Sequence, residues 1–552
     1  MKYLKYLLIS TYLFVSCKET KIYKPIAITS LTQKVVPLNK KETQRWFEKD
    51  ILIDSVPGIS LNRAYDSLLK GKTGKSIVVA VIDTEIDINH EDLKSHVWIN
   101  TDEIPNNGID DDQNGYVDDV NGWNFIGNSK GDNIIFSSLE CVRVIQGYQK
   151  RVKEGKLREG QADYTLYIKA KKYYDSKLKS AQEDLDYGNF LFEGYPKAKS
   201  AMKKIFPEED YTVEELDSTY EANKKINPDL ARNAYFMSDC FKYNLSEEWI
   251  ANYRKQAKNK IDYTYNLNYI DKVGIDPFPN EITFNAYGTH NINKNLDVFY
   301  HGTLVAGLIG ATRNNGIGIN GVASDVEIMS LAISSNGEEH DKDIALAIKY
   351  AVDNGAKVIN MSFGKEFSMH KEWVFEAFEY AEKKDVIIIS SAGNSAFNLE
   401  ENNNYYPNDN INNGTEVSNN FLLVGSISKN IDSSFLSYYS NYGVSDVDIF
   451  APGQEIYTII PNNEYKLDSG TSIAASITSG VAALIYSYYP NLKASEVKQI
   501  LMDSGLEFNI EVTTPIEENK EKTTPFNQLS KSGKVLNAYN ALIMADSISK
   551  NK

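Results

Sequence analysis

Only three cysteines stand among 552 residues, at positions 17, 141 and 240. With Cys17 set apart near the terminus, Cys141 and Cys240 are too few for the disulfide framework of a small secreted domain. Neither a CxxC pair nor a Cys/His cluster occurs, which excludes a structural zinc centre. The two cysteines either pair with each other or lie buried as small apolar residues. Basic charge is scarce too: 59 Lys and Arg against 75 Asp and Glu leave a net charge of −16. That balance argues against a phosphate-backbone partner, so no nucleic acid is expected to bind. The apolar run from Tyr6 to Val15 is shorter than the roughly 20 residues that cross a bilayer, so it is not a span. Internal repeats and low-complexity blocks are absent, which removes the solenoid architectures.

What is present is a composition of 42% hydrophobic and 24% charged residues, enough for a large globular core. Lys2 and Lys5 precede the first apolar run, as in an export signal. The run closes as Leu13-Phe14-Val15-Ser16-Cys17, which resembles a bacterial lipobox with Phe14 where Leu is usual. The expectation is a signal peptide over residues 1–16 and a lipid anchor on Cys17. The product is then an exported, membrane-anchored lipoprotein, periplasm-facing or at the cell surface. A plain secretory signal with a chance cysteine is the alternative. Residues 17–60 read as a tether and docking segment anchored by Trp46 and Phe47.

Ser76 opens an apolar run that Asp83 closes. Similar runs follow at Val326–Ile333, Lys357–Phe363, Val386–Ser390 and Phe421–Ile427, as expected of strands buried on both faces of a parallel sheet. Between them, Ile344, Ala347, Ile348, Ala351 and Val352 form a helical stripe that ends at Gly355, a residue suited to a left-handed cap. Trp373, Ala377, Phe378 and Ala381 form another. This alternation predicts an α/β fold with a mainly parallel sheet, in which ligands bind beyond the carboxyl ends of the strands. Residues 131–290 break the rhythm. Tyr167, Ala170, Tyr174, Leu178, Ala181 and Leu185 recur at three- and four-residue steps, which predicts a helical insertion between the two parts of one domain, 61–130 and 291–548. Such an insertion either covers a binding cleft as a lid or docks a partner.

Three segments carry chemistry. Asp83 ends its strand, and His301 opens His301-Gly302-Thr303, whose small residues suit a tightly packed helix start. Ser472 lies in Gly470-Thr471-Ser472-Ile473-Ala474, ahead of the apolar stretch Val481–Tyr486. A serine at a helix start has backbone N–H groups aimed at it, which stabilise a developing oxyanion. Its hydroxyl needs a base to take its proton, and the base needs an acid to hold its tautomer. His90, seven residues after Asp83, lacks the Gly-Thr opening that follows His301.

In the order Asp, His, Ser these segments resemble the subtilisin-like serine peptidases, the subtilases. Ser362-Phe363-Gly364 resembles the family's substrate-pairing strand, and Ser391-Ala392-Gly393-Asn394 the segment with its oxyanion-hole asparagine. Tyr406-Pro407, Ser440-Asn441-Tyr442-Gly443 and Ala451-Pro452-Gly453 also fall where the family has similar pieces. The resemblance implies a subtilisin-like three-layer α/β sandwich and a serine endopeptidase acting through an acyl-enzyme, with no organic cofactor. It implies catalytic roles for Asp83, His301, Ser472 and Asn394. It also implies contacts of Ser362, Phe363, Gly364 and Gly393 with peptide or protein substrates. A non-catalytic peptide-binding lipoprotein that keeps the fold is the rival. Three departures from the family pattern stand out. Glu85 replaces the usual Gly, so it is either strained at a positive φ or a negative charge near the cleft that favours basic substrates. Ile473 replaces Met, and Ser476 replaces Pro.

Asp110-Asp111-Asp112-Gln113-Asn114-Gly115-Tyr116-Val117-Asp118-Asp119 is the last motif. Oxygen ligands at alternate positions with Gly at the sixth match the first half of a calcium loop, although position twelve is Asn121 rather than Glu. The expected ligands are Asp110, Asp112, Asn114 and Asp118, and the alternative is an acidic turn with no ion.

Overall fold

The apolar runs become strands. The computed structural model describes residues 23–29, 38–127, 132–271, 287–401, 405–410, 415–516 and 520–552, so the signal run and Cys17 lie outside the described residues. β1 (Ile77–Asp83), β2 (Gly122–Asn124), β3 (Val326–Ala332), β4 (Val358–Met361), β5 (Ile387–Ser391), β6 (Phe421–Ile427) and β7 (Ile449–Pro452) belong to one nine-stranded sheet. Its order is Leu506–Glu507, Lys534–Val535, β7, β6, β5, β4, β1, β3, β2. From β7 to β2 every neighbouring pair is parallel, and only the outermost pair, Leu506–Glu507 with Lys534–Val535, is antiparallel. Register pairs Asp83 with Ala332 and Ile82 with Met361, so the ends of β1, β3 and β4 share one edge. The expected α/β sandwich is therefore what the chain forms. β2 and β7 were not anticipated: β2 has only three residues, and the four of β7 lie behind Asp446 and Asp448 and end in a proline, which breaks the apolar run.

Helices follow the stripes. Between β2 and β3 the chain forms α1 (Glu140–Lys153), α2 (Ala162–Lys203), α3 (Val213–Asn223), α4 (Pro228–Lys242), α5 (Glu247–Asn259) and α6 (His301–Gly310). After β3 come α7 (Asp341–Asp353), α8 (Lys371–Lys383) and α9 (Thr471–Tyr488). Gly355 follows α7 at φ 81°, as its cap position requires. α9 is buried from Thr471 to Ser487, the pattern of a helix enclosed on all sides. Its small residues permit that: a Cβ at Gly480 would stand 2.5 Å from the Val322 side chain.

α1 to α5 bury far less. Their apolar residues form small clusters, one around Cys141, Ile145, Ala170 and Tyr174 and another around Leu191, Cys240 and Ile250. Both cysteines are free and buried, in different clusters. At the other end of the chain, Trp46 and Phe47 are fully enclosed in the main core, and the Trp46 indole donates to the Gln454 carbonyl at 3.1 Å.

Candidate active site

Strand β1 delivers Asp83 to the carboxyl edge of the sheet, where it is 1% exposed. Its own carbonyl is held by the amides of Ile333 and Ser334, and its Oδ1 accepts from the Thr84 amide at 2.7 Å. α6 begins beside it. His301 Nδ1 lies 2.8 Å from Oδ1 and 3.0 Å from Oδ2 of Asp83, so the ring donates from Nδ1 and presents Nε2 as its acceptor. Glycine is required next: a Cβ at Gly302 would meet the Thr84 carbonyl at 2.5 Å, and the Gly302 amide donates to Thr84 Oγ1. Burial pulls the His301 pKa down, but the charge of Asp83 and its hydrogen bond outweigh that, and the net shift is upward from 6.5.

Ser472 occupies the first turn of α9, 8% exposed. Its Oγ donates to the Ser362 carbonyl at 3.0 Å, and among the described residues no hydrogen bond joins it to His301. Ser362 follows β4 directly and returns the contact, its hydroxyl donating to the Ser472 carbonyl. Ser476, in the position where proline is usual, donates to the same carbonyl from one turn on. Asn394 follows β5. Its Oδ1 accepts from both the amide and the hydroxyl of Thr471 at 2.9 Å, which fixes the side-chain amide beside the start of α9, where a Cβ on Gly470 would stand 3.5 Å from its Nδ2. Thr471 Oγ1 also accepts from the Gly393 amide, tying the two segments together. The sequence did not single out Thr471 for this role. Its only signal was adjacency to Ser472. His301, Ser472 and Asn394 thus stand at the carboxyl ends of the adjoining strands β1, β4 and β5. Phe363 packs against the core and Gly364 is exposed beside them. His90 lies elsewhere, fully buried with its ring edge-on to Tyr465.

Glu85 is neither strained nor in the cleft: it has no positive φ and is 0% exposed. Its carboxylate accepts from the amide and side chain of Asn295 at 2.7 and 2.8 Å and from Asn133 at 2.6 Å. It therefore ties the Asp83 loop to both ends of the segment that carries α1 to α5.

The acidic loop converges differently from the alternating pattern. Gln113 and Asp118 adopt φ 59°, which breaks the period of two. Asp118 is turned back onto the amides of Asn107 and Gly108, and Asp110 onto those of Asn114 and Gly115. Asp112 instead meets Glu103 and Asp119, with a ligand oxygen of each within 4.8 Å of the others. Asn100 and Asn114 direct their amides at Asp112 and Asp119. This hard-oxygen set suits calcium in donor chemistry. Glu103 escaped the sequence reading because it lies outside the aspartate run.

Beside the site, α1 meets the loops after β3 and β4 through buried charge. Lys365, whose side chain is 1% exposed, lies 2.8 Å from Asp341 and 3.3 Å from Glu140, and donates to the Glu339 carbonyl. Arg143 pairs with Glu140 and donates to the carbonyls of Ser138, Glu338 and Glu339. Burial would push Glu140 up, but Arg143, Lys365 and His340 hold it down at about 2. Just upstream, the Ser137 amide donates to the Asn336 carbonyl and the Asn336 amide to that of Ile135, a short strand pairing laid on the loop after β3.

The chain is similar to known proteins over much of its length. The profile of the subtilase family matches residues 74–528. A thermophilic serine proteinase of Bacillus sp. (strain AK1) is 33% identical over 248 residues, 45% of this chain and 53% of that protein. The cell wall-associated protease of Bacillus subtilis (strain 168) is 34% identical over 220 residues, 40% of this chain and 22% of its own. Among solved structures, a protease from Pseudoalteromonas arctica aligns at 27% identity with a TM-score of 0.36, covering 44% of this chain and 70% of that one. The chain thus spans about half or less of the length of these sequence relatives.

Proposed function

This chain belongs to the subtilase family, and we propose that it is an endopeptidase with Ser472 as nucleophile, His301 as base, Asp83 as orienting acid and Asn394 as oxyanion donor. The observation that carries the reading is the His301 Nδ1 bond to the buried Asp83, which leaves Nε2 as the ring's proton acceptor. An extended peptide adds itself along Ser362-Phe363-Gly364, and its N–H takes the Ser362 carbonyl that now holds the Ser472 hydroxyl. The freed Oγ attacks the scissile carbonyl carbon while Nε2 takes its proton. The oxyanion is met by Asn394 Nδ2 and the Ser472 amide at the start of α9. Nε2 then protonates the leaving amine, and water, deprotonated by the same nitrogen, releases the acyl group.

Three further parts complete the proposal. Lys2, Lys5 and the lipobox-like run support export with Cys17 lipidated. Calcium held by Glu103, Asp112 and Asp119 supplies charge balance to the loop after β1. Residues 131–290 act as an insertion over the unprimed side of the cleft. A peptide running antiparallel to Ser362-Phe363-Gly364 reaches Lys365 within about three residues at about 3.3 Å each, and there meets α1. The test is cleavage of a peptide library by the purified chain and by Ser472→Ala. Turnover should fall by about 10³-fold or more in the variant with its melting temperature unchanged. Full activity in the variant removes the assignment.

A further inference from the structure

The crevice beside Ser472 is already filled by a side chain of the protein itself. Past the carboxyl ends of the adjoining strands β4 and β5, the chain continues as Ser362-Phe363-Gly364 and Ala392-Gly393-Asn394. Between these segments lies the ring of Tyr405, 9% exposed, with its hydroxyl donating to the Ser391 carbonyl at 3.0 Å. A Cβ built on Gly364 would stand 2.1 Å from Tyr405 Oη and 2.3 Å from Cζ. One built on Gly393, where φ is 99°, would stand 2.6 Å from Cε2 of the same ring. The ring is thus in contact with both backbones, and only glycine at 364 and 393 admits it. It is held from behind as well: Tyr406 and Lys365 exchange both backbone hydrogen bonds, at 2.7 and 2.8 Å. Burial pushes the Tyr405 hydroxyl pKa up, so it stays neutral and keeps its bond to Ser391.

We propose that Tyr405 is a specificity-determining residue that restricts the acyl-side residue of the scissile bond to glycine, alanine or serine. The inference rests on the peptidase reading above. A peptide whose N–H bonds the Ser362 carbonyl, and whose carbonyl carbon meets Ser472 Oγ, sends the side chain of that same residue between Gly364 and Gly393. That space belongs to the Tyr405 ring. A methyl or hydroxymethyl group rests on the ring edge, while leucine or phenylalanine has to displace a buried ring with a hydrogen-bonded hydroxyl. Removing the ring empties an aromatic-sized slot walled by two glycines, which then receives an aromatic side chain.

The test uses peptides identical except for Gly, Ala, Ser, Leu or Phe before the cleaved bond, with kcat and KM measured separately for the full chain, Tyr405→Phe and Tyr405→Ala. Apolar pockets discriminate side chains by about 10- to 200-fold, and the unaltered chain should favour Ala over Phe by at least the upper part of that range. Tyr405→Phe keeps the ring and should keep the preference. Tyr405→Ala should lower the Ala-to-Phe ratio of kcat/KM by at least about 10-fold, mainly through KM for the Phe peptide. If the unaltered chain cleaves the Phe peptide as well as the Ala peptide, the inference is overturned, whether or not Tyr405→Ala folds. Labelling of Ser472 by a fluorophosphonate separates the two levels. Labelling with no side-chain preference overturns only the role of Tyr405, whereas no labelling and no cleavage overturn the peptidase reading beneath it.

Discussion

β4 to β7 bury every residue they contain, and apart from Asn360, Ser390, Ser391 and Ser426 those side chains are apolar or absent. Where α1 touches the same body, Phe367 joins its small apolar cluster, but the groups buried there also include Glu140, Arg143, Lys365, Asp341 and the carbonyls of residues 338 and 339. The two regions are held by different physics. Apolar burial is non-directional and cooperative, so the sheet fixes the strand ends that carry Asp83, Ser362 and Asn394 as one unit. A buried ion network gains little net stability once desolvation is counted, but it breaks sharply when one member is removed. The region that positions chemistry rests on the large apolar core, and the region at its margin on a small apolar cluster joined to a few buried charges.

Arg143→Leu is the strongest way to break that contrast. Removing one partner of a buried pair costs about 3–5 kcal/mol, and here Glu140 is left paired with Lys365 alone among the described residues while the carbonyls of Ser138, Glu338 and Glu339 lose their Arg143 donor. The loss should be local. Amide exchange should quicken in α1 and the segments at 135–138 and 334–341, while β4 to β6 keep their protection. Uniform loss of protection across the sheet would mean that the two regions form one cooperative unit.

A smaller effect is expected at the acidic loop, which sharpens the contrast from the body's side. An ion at 100-fold its Kd adds about 2.7 kcal/mol, so chelation should lower the melting temperature by a few degrees. Asp112→Ala should abolish that sensitivity and Asp110→Ala should retain it, because Asp110 serves loop amides rather than the carboxylate cluster. Sensitivity lost in both variants would restore the alternating ligand set, to which Asp110 also belongs.

The same division governs what could be read without coordinates. Strands β1, β3, β4, β5 and β6 were legible because a strand buried on both faces is a nearly unbroken apolar run, as at Ile77–Ile82. β2 and β7 were not, β2 having three residues and β7 lying behind Asp446 and Asp448 and ending in Pro452. The segments around Asp83, His301, Ser472 and Asn394 stood out as small-residue motifs at element ends. Tyr405 left no comparable mark, because its meaning depends on Gly364 and Gly393, 41 and 12 positions away by subtraction, leaving it room. The buried network was equally silent. Glu140, Arg143, Asp341 and Lys365 look like ordinary surface charges until the fold encloses them. Glu85 read as two alternatives, strain or cleft charge, and is neither, because its partners Asn133 and Asn295 come from opposite ends of the helical region.

The central claim is that Ser472 is activated by His301 with Asp83 behind it, and active-site labelling measures this directly. The purified chain is treated with a fluorophosphonate across pH 5 to 9, and the modified residue is located by mass spectrometry. A base must be neutral to act, and Asp83 raises the His301 pKa. The labelling rate at Ser472 should therefore rise with pH through a midpoint above 6.5, and Asp83→Asn should slow labelling by orders of magnitude at every pH. Labelling of Ser472 at the same rate in Asp83→Asn, or of some other serine in the unaltered chain, would contradict the account.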